Sequence, residues 1–287
     1  NMMNPEGNGS ITLAAVTAYE QPISSLKMDF AGSANQAQAN LSVQLPAGTI
    51  EGRIAAQPQQ RTFTAQLSSN GIDLAKLQAL QVRAINAKGV LAIQAKGQGT
   101  FDNPEMNADL QIPTLAIDGQ TFSGIKLQMN VANRVANADL SSSVANTSLR
   151  AKAQVNLTGD YLTDASFDTQ SVPLQPFLTV YAPEEAANIT GQTEIHATLH
   201  GPLKNMKQLE AQVTIPVLKV GYSNTIQLAA ASPIHVDYKN SVIDLQPATI
   251  RGTDTDLQLQ GSIPINSGAP MSLKAQGTVN LQLAQLF

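Results

Sequence analysis

Apolar and polar residues alternate with period two along most of the chain. Leu41, Val43 and Leu45 form one run, Phe63, Ala65 and Leu67 another, and Leu91, Ile93 and Ala95 a third. Leu149, Ala151, Ala153, Val155 and Leu157 continue the pattern, as do Leu257, Leu259, Gly261, Ile263 and Ile265. The residues between them are mostly Gln, Asn, Thr, Ser and Lys. Successive side chains of a strand point to opposite faces, so these runs predict half-buried antiparallel strands with one dry and one wet face. Roughly eighteen such runs follow one another at short spacing, which predicts an all-β chain.

Helical signal is confined to three short stretches. In GIDLAKLQAL (71–80), Asp73 is a candidate N-cap and Leu74, Leu77 and Leu80 share one face. Residues 173–187 carry Leu174, Phe177, Leu178 and Tyr181, with Pro183 opening a second turn. The terminal LAQLF is the third.

The chain also resembles itself. Gly89, Gly99 and Asn103 recur 102 residues later as Gly191, Gly201 and Asn205. Pro113, Leu115 and Ile117 recur at 103 as Pro216, Leu218 and Val220, and Leu74 and Leu77 recur at 100 as Leu174 and Phe177. The repeating unit is about 100 residues: several strands, a short amphipathic helix, then a Gly-bounded hairpin. No linker composition or charge shift marks the borders. Residues 1–287 are therefore read as one continuous segment with approximate units 1–88, 89–190 and 191–287. Some eighteen strands about 4.8 Å apart would extend on the order of 85 Å, and a ladder that long must twist and curl. Three short helices and 4% aromatic residues cannot cover its apolar face. The cover must be the opposite wall of the curled sheet, another protein, or a long apolar ligand.

Composition narrows the function. Charged residues are 13% of the chain, well below the roughly 25% of a typical soluble protein. The net charge is −4 and no Lys/Arg run exists, so nucleic acid is excluded as an expected partner. Cysteine is absent, which removes disulfides, thiolate metal sites and Cys nucleophiles. No run of 18 apolar residues offers a membrane-spanning helix. The chain opens on a polar stretch and closes inside an apolar pattern, and is read as a piece of a longer protein.

Candidate chemistry is sparse. His196 and His200 lie four apart, a zinc spacing on a helix but about 13 Å on a strand, too far for one ion. They and His235 are expected on the wet parity. Asp254 with Asp256, and Glu184 with Glu185, are read as solvated turn carboxylates rather than an acid–base pair. GQG at 97–99 lacks the further glycine and the strand-to-helix setting of a nucleotide loop. The Asn-x-Ser/Thr matches at Asn146 and Asn188 are expected by chance in an Asn-rich chain. No Ser/His/Asp constellation stands out. The expectation is no enzyme, no cofactor and no metal.

The stretch ITGQTEIHATLHGPLKNMKQLEAQVTIPVLKV (189–220) and its twin AKGVLAIQAKGQGTFDNPEMNADLQIPTLAI (87–117) resemble the envelope proteins of the TamB and AsmA-like families. The shared pattern is an alternating strand between two glycines, a small loop ending in Asn-Pro, then a second alternating strand. The first copy keeps Asn103-Pro104; the second has Asn205-Met206, with its proline moved to Pro202. The resemblance implies a long U-shaped β-groove, or β-taco, with an apolar lumen. It implies a periplasmic location, an inner-membrane anchor outside this chain, and phospholipid guided toward the outer membrane. It also implies an outer-membrane barrel partner met through parts outside this chain. Apolar parity makes Leu91, Ile93, Ile195, Leu199, Val213, Ile215, Leu257 and Leu259 the expected lumen residues, facing phospholipid or another long acyl ligand. The rival reading is a structural or adhesive β-solenoid of a surface protein. That would show parallel rungs of roughly 20–30 residues, a period the chain lacks.

Overall fold

The computed structural model describes residues 6–280 except 84, 118–119, 145–146, 176–177, 179–187, 223–224 and 266–269. Its strands fall into two units, residues 1–143 and 144–287. The first unit holds β1 (Gly7–Ala18), β2 (Gln21–Ser33), β3 (Gln36–Leu45), β4 (Gly48–Gln57) and β5 (Thr62–Asp73). It continues with β6 (Ala87–Thr100), β7 (Pro104–Ile117), β8 (Gln120–Ala132) and β9 (Val135–Val144), whose end marks the border. The second unit holds β10 (Thr147–Asn156), β11 (Leu162–Thr169), β12 (Val172–Pro173), β13 (Ile189–Pro202) and β14 (Glu210–Tyr222). After these come β15 (Ile226–Ala230), β16 (Ile234–Lys239), β17 (Val242–Gly252), β18 (Thr255–Pro264) and β19 (Ser272–Thr278). The fold is all-β, as the alternation predicts. In the first unit each strand from β1 to β7 pairs antiparallel with the next. In the second unit β11 and β12 both pair with β13, and the half-strands β15 and β16 both pair with β14. The described pairings are antiparallel throughout, unlike the parallel rungs of a solenoid.

Most neighbours are joined by tight turns. Three place two successive residues at positive φ: Tyr19–Glu20, Asn133–Arg134 and Asn240–Ser241. This is the two-residue turn whose twist matches that of the strands. Gly99 and Gly201, the twin glycines of the repeat, have φ of 113° and 129°. A Cβ on Gly201 would stand 2.7 Å from the carbonyl oxygen of Gln208, and on Gly99 2.9 Å from that of Asn103. The second glycine of the motif is therefore a backbone requirement where the chain turns toward its return strand.

The predicted helix at 71–80 is two separate turns. Asp73 caps as expected, its carboxylate accepting the Ala75 N–H at 3.1 Å, and a 3-10 turn follows over Leu74–Lys76. Leu77 is extended, with φ −77° and ψ 107°, and α1 then covers only Gln78–Gln81. The three-residue spacing of Leu74, Leu77 and Leu80 suits three residues per turn better than 3.6. At the second stretch the Leu178 N–H bonds the Leu174 carbonyl at 3.1 Å. Phe177, Tyr181 and Pro183 lie outside the described residues, as does LAQLF. Among the described residues no helix is long and apolar enough to cross a membrane.

In the described ladders, four strands change the phase of their alternation at a register shift. On β7 the apolar side chains run Met106, Ala108, Leu110, Ile112 and then Leu115, Ile117; the register to β6 shifts between these sets. On β14 they run Ala211, Val213, Ile215 and then Leu218, Val220, with the register to β13 shifting at Ile195. On β17 they run Ile243, Leu245 and then Ala248, Ile250, and on β5 Leu67, Ser69 and then Ile72. Each shift is a β-bulge, one extra residue left out of the ladder. Pro113, Pro216 and Pro247 sit at three of them, where the missing N–H costs no ladder bond. At the fourth stands Asn70-Gly71. The repeated I-P-x-L-x-[IV] motif is thus the sequence of a bulge.

The chain exposes 17528 Å². Two separate globules of half the mass each would expose about 14,200 Å². Among the described residues, the only large side chains with under 2% of their surface exposed are Ile226, Val144 and Val172. The strands are not wrapped around a closed core.

Candidate functional site

Residues opposed on neighbouring antiparallel strands share a face, so the registers trace rows across each sheet. In the first unit one row runs Ile11, Met28, Leu41, Gly52, Leu67, Ala95, Ala108, Met129 from β1 to β8. The row beside it runs Gly9, Phe30, Ala39, Ile54, Ala65, Gly97, Met106, Val131. The intervening row, on the opposite face, is Ser10, Asp29, Asn40, Arg53, Gln66, Lys96, Asn107, Asn130. One face is thus hydrocarbon over eight strands, and the other is polar apart from small residues such as Ala31 and Ala55. The apolar face is open: Ile54 is 52% exposed, Met106 48% and Leu13 46%.

The second unit repeats the arrangement. Ala151, Phe167, Ala197, Val213, Val236, Leu245, Gly261 and Leu273 form one apolar row. On the other face Arg150, Asp168, His196, Thr214 and His235 stand in line.

All eight expected residues stand on the apolar faces, half-buried. Leu91 opposes Ile72, and Ile93 opposes Leu110. Leu199 opposes Ala165 and Ala211, Val213 opposes Ala197 and Val236, and Ile215 opposes Ile234. Leu257 opposes Ile250 and Leu259 opposes Ala248. Ile195 sits at the bulge of the β13–β14 ladder. The rows add Met28, Phe30, Leu41 and Met129 to these faces, and Leu41 belongs to an alternating run already legible in the sequence.

Four hydroxyls on the apolar faces are spent internally. Ser69 Oγ donates to the Thr49 carbonyl at 2.6 Å. Thr169 Oγ1 accepts the Ile195 N–H at 2.9 Å, replacing a ladder bond where β11 gives way to β12. Thr163 donates to the Tyr161 carbonyl at 2.9 Å, and Tyr238 to that of Met206 at 2.9 Å.

The polar face carries the titratable groups. His196 Nδ1 is 2.8 Å from Asp168 Oδ1, and its Nε2 is 3.0 Å from Glu194 Oε1. The bond to Asp168, then that to Glu194, holds its pKa above the ordinary 6.5. His200 Nδ1 is 2.6 Å from Asp164 Oδ1, and His235 Nδ1 is 3.2 Å from Thr214 Oγ1. Lys239, bonded to Glu210 at 2.7 Å, draws that carboxyl below its usual range. Each histidine therefore has its own partners on the wet parity. Among the described residues no three His, Cys, Asp or Glu side chains are placed to hold a metal. Asp254 lies in a turn at φ 48°, and Asp256 pairs with Arg251 at 3.1 Å. Glu184, Glu185 and Asn146 lie outside the described residues. Three surface hollows of the first unit, of about 370, 260 and 440 Å³, are lined mainly by polar-face residues such as Gln57, Glu51 and Asp29, and a fourth, of about 310 Å³, is lined by the 74–87 connection, with Leu74, Ala75, Ile85 and Ala87. They offer no enclosed cleft on the apolar side.

No family model, curated protein or solved structure matches the chain.

Proposed function

We propose that this chain is a segment of a cell-envelope lipid-transfer or assembly protein whose apolar face shields phospholipid acyl chains between the inner and outer membranes. One observation carries the reading: an apolar face, eight strands wide, with the Ser69 hydroxyl on it already bonded, lies back to back with a largely polar face. A chain of sixteen carbons laid on such a face buries about half of each CH₂, a group worth about 0.8 kcal/mol when fully buried, and so gains on the order of 6 kcal/mol. No polar hook is required, and none is offered. The resemblance of 87–117 and 189–220 to the TamB and AsmA-like pattern supports the same role. In this reading the protein works in the periplasm and is anchored to the inner membrane by a segment outside this chain. An outer-membrane barrel partner would be met elsewhere in the protein.

The test is photo-crosslinking in the intact protein in cells. A photoreactive residue at Ile93 or Leu199 is expected to yield lipid adducts, and one at the adjacent Gln94 or Thr198 is not. Protein adducts without lipid at Ile93 and Leu199 would favour an adhesive or structural face and overturn the lipid reading.

A further inference from the structure

The repeat places two seams in corresponding positions, and only one of them pairs histidines with carboxylates. At each seam the paired strands are joined not by a tight turn but by a longer connection, residues 74–86 between β5 and β6 and residues 170–188 around β12 between β11 and β13. Side chains and ladder bonds alone hold such neighbours together. In the first unit the polar face of the seam pairs Thr64 with Gln98 and Ser68 with Gln94. The same positions in the second unit pair Asp164 with His200 and Asp168 with His196. Neutral hydroxyl–amide pairs in one copy are carboxylate–imidazole pairs in the other.

The geometry defines the protonation state that fits. Both nitrogens of His196 face carboxylate oxygens, at 2.8 Å from Asp168 and 3.0 Å from Glu194. A carboxylate only accepts, so only the doubly protonated ring can donate to both. Behind Asp168, Arg150 of β10 stands opposite. On the other side of His196 lies Thr214 of β14, which is bonded in turn to His235 of β16. His200 faces Asp164 of β11 and Glu210 of β14, the latter held by Lys239 of β16. Lys152 of β10 stands opposite Ser166, between the two clasps.

We infer that the β11–β13 seam is a proton-operated clasp, closed at His196 by its imidazolium–carboxylate bonds in mildly acidic conditions and loosened on deprotonation, whereas the β5–β6 seam is indifferent to pH over the same range. A histidine whose folded pKa lies above its unfolded value contributes stability that is fully present below the unfolded value, near 6.5. That stability is lost as pH rises through the folded value. Histidine and cysteine are the side chain types that ordinarily titrate closest to neutrality, and the chain has no cysteine.

Amide hydrogen exchange on the whole chain at pH 6 and 8.5, corrected for intrinsic rates, tests this with an internal control. Opening of peptides covering 163–169 and 195–201 is expected to increase roughly two- to five-fold at the higher pH, the range for exposed ion pairs. Peptides covering 63–69 and 93–99 are expected to stay constant. Asp164→Thr, Asp168→Ser, His196→Gln and His200→Gln together install the chemistry of the first seam and should abolish the difference. Equal responses at both seams, or an unchanged response in the fourfold variant, would overturn the clasp. So would a His196 ring titrating at or below 6.5 in a histidine NMR titration of the unaltered chain.

Discussion

Deleting Pro113 should do less harm than deleting Asp109 four residues earlier on the same strand, although a proline break in a strand usually marks the delicate place. Pro113 is the residue left out of the β6–β7 ladder. Without it Ile112 is followed by Thr114 and Leu115, so strict alternation is restored and every apolar side chain keeps its face. Toward β8, where Pro113 now stands against Gly124, the surplus residue becomes Gly124. That glycine has φ 61° and open space around its Cα, which suits the bulged position. The expected cost is within about 1 kcal/mol. Asp109 lies in the regular ladder opposite Gln94 and Gln128. Its loss forces one side of the strand onto the wrong face. Either Met106 and Ala108 turn outward while Glu105 and Asn107 turn in, breaking the 2.8 Å Asn107–Asn130 bond, or Leu110 and Ile112 turn outward. Full burial of such side chains stabilises by about 1.5–3 kcal/mol, and these are about half-buried, so either route costs about 2–3 kcal/mol. The chain has no Trp, so urea unfolding is followed by far-ultraviolet circular dichroism, with hydrogen exchange of β6–β8 peptides locating the loss. A Pro113 deletion as damaging as the Asp109 deletion would refute the assignment of that proline to a surplus position.

Two further predictions concern the backbone devices of the ladder. Thr169→Val keeps the shape and removes the acceptor of the Ile195 N–H. It should cost about 1–3 kcal/mol in urea unfolding, while Thr169→Ser should retain most of that bond. Gly201→Ala places a Cβ at φ 129° and 2.7 Å from the Gln208 oxygen. It should cost about 1–3 kcal/mol, seen as a lowered midpoint and faster exchange in the β13–β14 hairpin.

The alternation displays the fold class and the sidedness of nearly every strand, because burial on one face constrains every second residue and nothing else. It shows Asp73 as a cap because a short acidic side chain before an apolar run has few other uses. It does not show the Tyr19–Glu20 turn, where neither residue favours positive φ and the ladder of β1 with β2 imposes it. It does not show the bulges as bulges. Ile112-Pro113 and Ile215-Pro216 stand out as repeated residues, but their effect on phase emerges only when β7 is laid beside β6 and β14 beside β13. The histidine partners were equally hidden. Asp168 and Asp164 lie 28 and 36 residues from His196 and His200, and only the non-consecutive pairing of β11 with β13 brings them together.

The bulges also explain how so long a ladder keeps one face free of charge. Had Pro216 taken a place in the β14 ladder, the next positions on the apolar face would be Val217 and Lys219 instead of Leu218 and Val220. Had β17 run on with no residue left out at Gln246–Pro247, Pro247 and Thr249 would stand where Ala248 and Ile250 now do, and Arg251 would follow on the same face. A lysine or arginine there would put an ammonium or guanidinium among half-buried alkyl groups, where only its stem belongs. Row neighbours flank each apolar side chain but do not cover it, so Ile54 keeps 52% of its surface open. Lateral contact holds the sheet together, and the same residues leave a continuous hydrocarbon surface exposed above it. A phase error in a single strand would break that continuity for anything laid across the rows. A proline at the surplus position cannot rejoin the ladder through an N–H it does not have, so it holds the correction in place.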